Sequence, residues 1–550
     1  MKTLSLRFLL VACAFLFILV AAACAGQAAA PGTSDQSPPL VSATPTQAVN
    51  EAANSRTRSS QVPFLTGGCA TCAVASGSRL EIYGYSTGGS ATVNDAPYDA
   101  TFFKHYGVNP FIDTEDDHLS TFAMDVDTAS YTVARRFLTD GHLPDPDSVR
   151  VEEFINYFRQ DYLPAKDGVF AIHMEGAPSY FGGPNHWLMR VGLQGQTVSA
   201  EERKDASLVF VIDVSGSMAM ENRLGLVKRS LRLLVNELRP TDQIGIVVYG
   251  SQARVVLRPT SGENKSAILG AIEELAPGGS TNAEEGLRLG YLMASEQFNP
   301  NRINGLILLS DGVANVGNTG QESILKSVRD SSADGITLST VGFGMGNFND
   351  VLMEQLANDG DGTYAYVDTI SEARRIFVEN LTGTLQVIAR DAKVQVDFNP
   401  EVVSRFRLLG YENRRVADDD FRNDTVDAGE VGAGHSVTAL YELKLLPGVE
   451  GRVASVYVRY EDPDTGEVIE ISRDLDRDQI SASFEEASPR FQLDSAVAEY
   501  AEILRESFWA LEGSMEDVRA VAGRVSSLLP DDPDVTEFLY LVTQAARIAK

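Results

Sequence analysis

The sequence predicts an α/β protein: a doubly wound, mostly parallel sheet with an N-terminal α+β segment before it, an appended β-rich domain after it and a C-terminal helical segment. Three observations predict this. From Ala206 to about Val387, short apolar runs alternate with amphipathic helical stretches, the pattern of a parallel sheet covered on both faces. Beyond Ala392 the run pattern turns to β, with a turn signal at Pro463–Gly466 between two strand-like stretches. After Pro489 three helical stretches follow, separated by Gly513 and by Pro530–Pro533.

The chain has 550 residues, 44% of them hydrophobic, more than a single core usually organises. It opens with Lys2 and Arg7 ahead of "FLLVACAFLFILVAAAC", an apolar stretch shorter than typical membrane spans and ending in small residues, so residues 1–23 read as a signal peptide. "VAAAC" resembles a bacterial lipobox, which implies that Cys24 becomes the lipidated first residue of the mature chain; ordinary secretory cleavage near Ala23 or Ala25 is the alternative. The expected location is outside the cytoplasm, in the bacterial cell envelope, with the membrane reached through the N-terminal lipid only. Residues 24–101 read as a disordered tether, since the stretch from Ala25 to about Gln61 is rich in Ala, Pro, Ser, Thr and Gln and has too few large apolar groups to fold. Cys69 and Cys72 form a CATC without a second ligand pair, which reads as a local disulfide.

Charge narrows the partners. The net charge is −30, and loss of Lys2 and Arg7 with the signal lowers it by two to −32. Such acidity repels nucleic-acid backbones and anionic head groups and suits divalent cations.

Residues 102–200 form the N-terminal segment. A short strand leads to a helix from about Thr128 to Thr139 and a second from about Ser148 to Phe158; "GVFAIHMEGAPSYF" and "HWLMRVGLQG" then read as strands. "MDVDTA" has the look of a phosphoaspartyl pocket, but Ala129 stands where that motif needs Thr or Val; Asp127 reads as a helix N-cap.

In the α/β region the strands are "SLVFVID", "QIGIVVYG", "ARVVLRP", "GLILLSD", "GITLSTVGFG" and "TYAYV". The first helix, Asn222 to Leu238, places Leu224, Val227, Leu231, Leu234, Val235 and Leu238 on one face. The first strand ends in Asp213-x-Ser215-x-Ser217, where open α/β sheets place their ligands. "PGGSTNAEEGL" adds Ser280 and Thr281 in a Gly-rich loop, and "LILLSDG" ends a second apolar strand in Asp311. An all-oxygen set with few carboxylates suits a hard octahedral ion such as Mg²⁺ or Mn²⁺.

"DVSGSM", "GGSTNAEEGL" and "LLSDG", in this order, resemble the metal-ion-dependent adhesion site (MIDAS) of the von Willebrand factor type A domain (VWA domain). The resemblance implies a Rossmann-like VWA domain over residues 203–387 and a metal set of Asp213, Ser215, Ser217, Thr281 and Asp311, with Thr281 preferred to Ser280. It implies magnesium, or Mn²⁺ or Ca²⁺, as cofactor. The implied activity is non-enzymatic adhesion: protein-protein interaction, or binding of a surface polymer, through a carboxylate of the partner. "STFAMDVDTASYTVARRFL…RVEEFINYF" and "FRLLGYENR…DFRNDTVDAGEVGAGHSVTALYEL" resemble, over roughly residues 115 to 550, an exported bacterial family of unknown biochemical role, in which a VWA-associated N-terminal segment and a C-terminal domain of unknown function flank the VWA domain. Here the C-terminal part divides into a β-rich domain, 388–488, and helices over 489–550.

Two rivals remain. A scaffold for an envelope complex needs no working metal. A metal-assisted hydrolase needs a general base, for which Glu284 and Glu285 are the nearby candidates. HExxH and P-loop motifs are absent from the sequence, His435 reads as a turn residue, and the acidic run Val416–Glu430 lacks EF-hand spacing and reads as a solvated loop. By resemblance, the helix from Thr369 is expected to shift when the site fills.

Overall fold

The computed structural model describes residues 103–124, 126–183, 185–199, 201–312, 321–345 and 348–549. The signal peptide, Cys24, the tether and the Cys69–Cys72 pair lie outside the described residues. Among the described residues, no helix is long and apolar enough to cross a membrane.

The α/β region forms a six-stranded sheet in the order Tyr364–Val367, Thr337–Phe343, Ile303–Ser310, Ala206–Asp213, Gln243–Tyr249, Arg254–Ser261. Every pairing is parallel except that of the last strand. The Ala206–Asp213 strand is buried throughout, and its alternate side chains feed two cores. Leu208, Phe210 and Ile212 pack with Leu224, Val227 and Leu231 of the Arg223–Glu237 helix. Val209 and Val211 pack with Leu287 of the Ala283–Glu296 helix and Leu352 of the Asp350–Asn358 helix. The period-two side-chain geometry of a strand thus makes the sheet doubly wound. Its order reverses at Ala206–Asp213, so the loop after Asp213 opens at the topological switch point.

The flanking segments are interleaved. Trp187–Gly195 pairs with Ser436–Leu445, and Ile112–Asp113 with Val403–Leu409, in an antiparallel sheet completed by Phe170–Pro178. Leu119–Ala123 pairs with Val387–Phe398, whose other neighbours are Arg452–Glu461 and Gly429–Gly432. The two sheets enclose one core that includes Met189, Val191, Phe406, Tyr441, Val394 and Val456. The helices Ala129–Thr139 and Val151–Asn156 share a second core with the C-terminal helices Pro489–Leu504, Met515–Leu528 and Pro533–Ile548. The α/β domain is therefore an insertion, entered and left through a body built from both ends of the described chain.

Local signals place the helix starts. Ser488 and Asp532 accept from backbone N–H groups at the N-termini of the Pro489 and Pro533 helices, where proline loses no helical hydrogen bond. The expected capping role of Asp127 is not what the structure shows. Glu153 accepts from Ser130 N at 2.7 Å at the start of that helix, while Asp127 accepts from Tyr364 N at 2.8 Å and pairs with Arg414 at 3.2 Å. Asp127 ties the inserted domain's edge strand to the body, a long-range role that local pattern cannot reveal. The expected helix from Thr369 is broken into Ile370–Arg374, a π-helical turn Arg375–Glu379, and Leu381–Leu385.

His435 follows the turn at Gly434, as expected, but its ring turns inward against Gly383, and Nδ1 is sealed from solvent without a hydrogen-bond partner. Burial pushes its pKa down to about 4. The unfolded ring titrates near 6.5, so the stabilisation from keeping it neutral is complete above that pH and lost as pH falls toward 4. Denaturant unfolding of wild type and His435→Gln should therefore diverge by about 2–3 kcal/mol between pH 7 and pH 4; parallel pH profiles would contradict this.

Candidate functional site

The site is assembled from three strand ends. Asp213 closes the fully buried strand; its Oδ1 accepts from Ser215 N at 2.7 Å and its Oδ2 from Ser310 Oγ at 3.1 Å. The Ser215 and Ser217 hydroxyls lie 2.9 Å apart. Asp311 lies near enough to the Ser217 hydroxyl for it to favour the charged carboxylate, so four of the five expected donors converge. All four are buried.

The loop that carries the fifth, Thr281, is tied down by backbone hydrogen bonds. Gly216 N donates to Gly279 O at 3.0 Å, Gly278 N to Val214 O at 2.7 Å, and Asn282 N to Gly250 O at 3.0 Å. The first two lace the second loop to the first, and the third ties it to the end of the Gln243–Tyr249 strand. Glycine is required where the loops touch: Gly279 has φ +89°, and a Cβ on Gly250 would lie 2.9 Å from Gly278 O. Thr281 is half-buried, and among the described residues its hydroxyl makes no hydrogen bond, whereas the Ser280 hydroxyl is exposed and turned to Ser251 Oγ at 3.3 Å. That difference favours Thr281 as the available donor.

Sequence reasoning missed Arg223. Its Nη1 donates to Asp311 Oδ2 at 2.7 Å with both side chains almost fully enclosed. Room for it comes from Gly344, at φ +85°, where a Cβ would stand 2.3 Å from the Arg223 Nε. A cation at the first residue of the helix after DxSxS opposes the helix dipole, which is the signal the sequence did offer. Ser310, directly before Asp311, and Tyr249, buried beside Asp213, also belong to the site.

Two carboxylates and one guanidinium leave the buried group short of positive charge. Burial, and then the nearby Asp311 carboxylate, push the Asp213 pKa up to about 7. Burial also raises Asp311, against the pull of Arg223 and Ser217. Hard oxygens, buried and deficient by one positive charge, fit a small dication. Of the bases the hydrolase alternative would need, Glu285 is engaged: its Oε2 accepts from Ala253 N at 3.1 Å and from Asn282 Nδ2 at 3.3 Å.

A second acidic group lies in the body. Asp391, Asp427 and Glu430 approach within 4.8 Å of one another, so this part of the acidic run is drawn into a partly buried cluster beside the Gly429–Gly432 strand. Burial, with Asp361 next, pushes Asp427 up to about 6 and Glu430 well above the usual carboxylate range.

Residues 207–383 match the family model for the von Willebrand factor type A domain. Residues 383–452 and 448–548 match the model described as uncharacterized protein YfbK, C-terminal, and residues 97–190 one described as von Willebrand factor. Uncharacterized protein YfbK of Escherichia coli (strain K12) is 41% identical over 362 residues, 64% of this chain and 62% of its own; the match thus spans less than two thirds of that relative. Uncharacterized protein sll0103 of Synechocystis sp. is 26% identical over 287 residues, 51% of this chain and 67% of its own. A solved von Willebrand factor type A protein from Catenulispora acidiphila aligns with 67% of this chain and 89% of its own at 15% identity and a TM-score of 0.42.

Proposed function

Because the chain belongs to the von Willebrand factor type A domain proteins with a YfbK-type C-terminal region, we propose that it is an extracytoplasmic, metal-ion-dependent binding module for an acidic group on a protein or surface polymer. The observation that carries this reading is the convergence of Asp213, Ser215, Ser217 and Asp311 in one buried, charge-deficient group, with the Thr281 loop laced against it. Those five residues would hold the ion. When bound, a Mg²⁺-type dication offers a coordination position that an external carboxylate can fill.

The chain's own residues do the rest. Ser310 and the Ser215 amide fix the Asp213 carboxylate, and the Ser215 hydroxyl holds that of Ser217. Met220, three positions after Ser217, and Ser280, beside Thr281, are exposed. Two hydroxyls in place of carboxylates leave the site with little negative charge of its own, which favours an anionic ligand over a neutral one.

The anchor belongs to the same proposal. A lipid on Cys24 and the tether of residues 24–101 would hold the module at a membrane with its site facing outward, within reach of partners in the envelope.

The test is capture from envelope extract by wild type and Asp213→Ala, each with Mg²⁺ and with EDTA. A partner retained by wild type in Mg²⁺ alone supports the reading; a partner retained equally by the variant and in EDTA favours the metal-independent scaffold. Turnover of phosphoesters dependent on Glu284 would favour the hydrolase.

A further inference from the structure

Arg223 is the observation that the proposed function does not use. A surface arginine at this point would be unremarkable, but this one is built in. Its side chain is 3% exposed, it donates to Asp311 Oδ2 at 2.7 Å, and Gly344 at φ +85° keeps a space that any Cβ would fill. Asp311 is itself 2% exposed at the side chain, so the pair is screened from water and its charges act at close range.

We propose that Arg223 is a positioning residue that competes with the dication for Asp311, holding metal affinity down while making the loaded site attractive to a carboxylate. The inference rests on the metal-site reading above. Charge counting sets both signs. Asp213 and Asp311 contribute two negative charges and Arg223 one positive charge. A bound dication therefore leaves the group at +1 with Arg223 and at zero without it. Arg223 thus repels the incoming metal and, once the metal is in, attracts the external anion. Its contact with the site is the Asp311 carboxylate, and its charge acts on the site there. Its two consequences have opposite signs, and a residue that merely braced the fold would weaken both bindings together.

The test uses Mn²⁺ as the metal and acetate as the carboxylate, on the chain from residue 25 onward. Water-proton relaxation enhancement reports Mn²⁺ uptake, and its decrease reports acetate replacing bound water. Arg223→Gln is expected to bind Mn²⁺ at least about 10-fold more tightly than wild type and to need several-fold more acetate for half-displacement. Arg223→Lys, which retains the charge, should stay near wild type on both counts and shows that the position tolerates change. Equal or weaker Mn²⁺ binding by Arg223→Gln, with wild type binding normally, would overturn this inference and leave the metal site standing. Uptake by neither protein would overturn the metal site itself. Uptake by Arg223→Gln alone supports the inference in its limiting form, with the guanidinium acting as the resident cation of the wild type.

Discussion

Asp213→Asn is expected to weaken Mg²⁺ uptake severely without lowering thermal stability in EDTA. The carboxylate is fully buried, and its ionised form is disfavoured by burial and by Asp311. An asparagine keeps an oxygen for the Ser215 amide, now at 2.7 Å, and removes a charge that the apoprotein holds at a cost. For the metal the same change deletes an anionic ligand from a set whose other carboxylate is paired with Arg223. Affinity should fall by about 100-fold or more, close to 3 kcal/mol. Titration calorimetry and thermal melts in EDTA measure the two effects on the same sample. Retained magnesium heat would show that the ion, if any, sits elsewhere; a melting temperature lowered by several degrees would show that Asp213 stabilises the apoprotein.

Arg135→Ala should produce the largest loss of stability. Its guanidinium is 7% exposed and reaches Asp368 at 2.6 Å and Glu372 at 2.9 Å in the inserted domain, and Glu537 at 2.9 Å in the last helix. It also donates to the Tyr157 hydroxyl at 2.6 Å. Removing it leaves two almost fully buried carboxylates without their principal cation, although Arg375 stands 3.9 Å from Glu372. Breaking one side of a buried ion pair costs about 3–5 kcal/mol. Because this contact joins the insertion to the body, denaturant unfolding of the variant should separate into two transitions where wild type shows fewer. A change below about 1 kcal/mol with an unaltered profile would mean that the pair adds nothing beyond its desolvation cost.

The contrast between these two residues shows which kinds of information a linear chain displays. Asp213, Ser215 and Ser217 lie within five positions and follow an apolar run, so strand geometry alone sends them to a sheet end. Asp311 closes a second such run, and the glycines before Thr281 mark a loop of close backbone approach. Arg135, by comparison, sits in an ordinary amphipathic helix, and nothing near it in the chain names Asp368 or Glu537 as partners. Arg223 stood in plain view at the head of its helix, yet its tie to Asp311 spans 88 positions.

The order of strands and helices, the doubly wound character of the α/β region and the oxygen donors at its strand ends were determined by the sequence alone, because each follows from side-chain period or from residues adjacent in the chain. Tertiary structure alone decided that strands on both sides of the α/β domain share sheets, that Asp127 braces Tyr364 instead of capping a helix, and that Arg223 enters the site. The physical reason is that an unpaired strand edge or a buried charge can be satisfied by any complementary group, and only packing brings one particular group within reach.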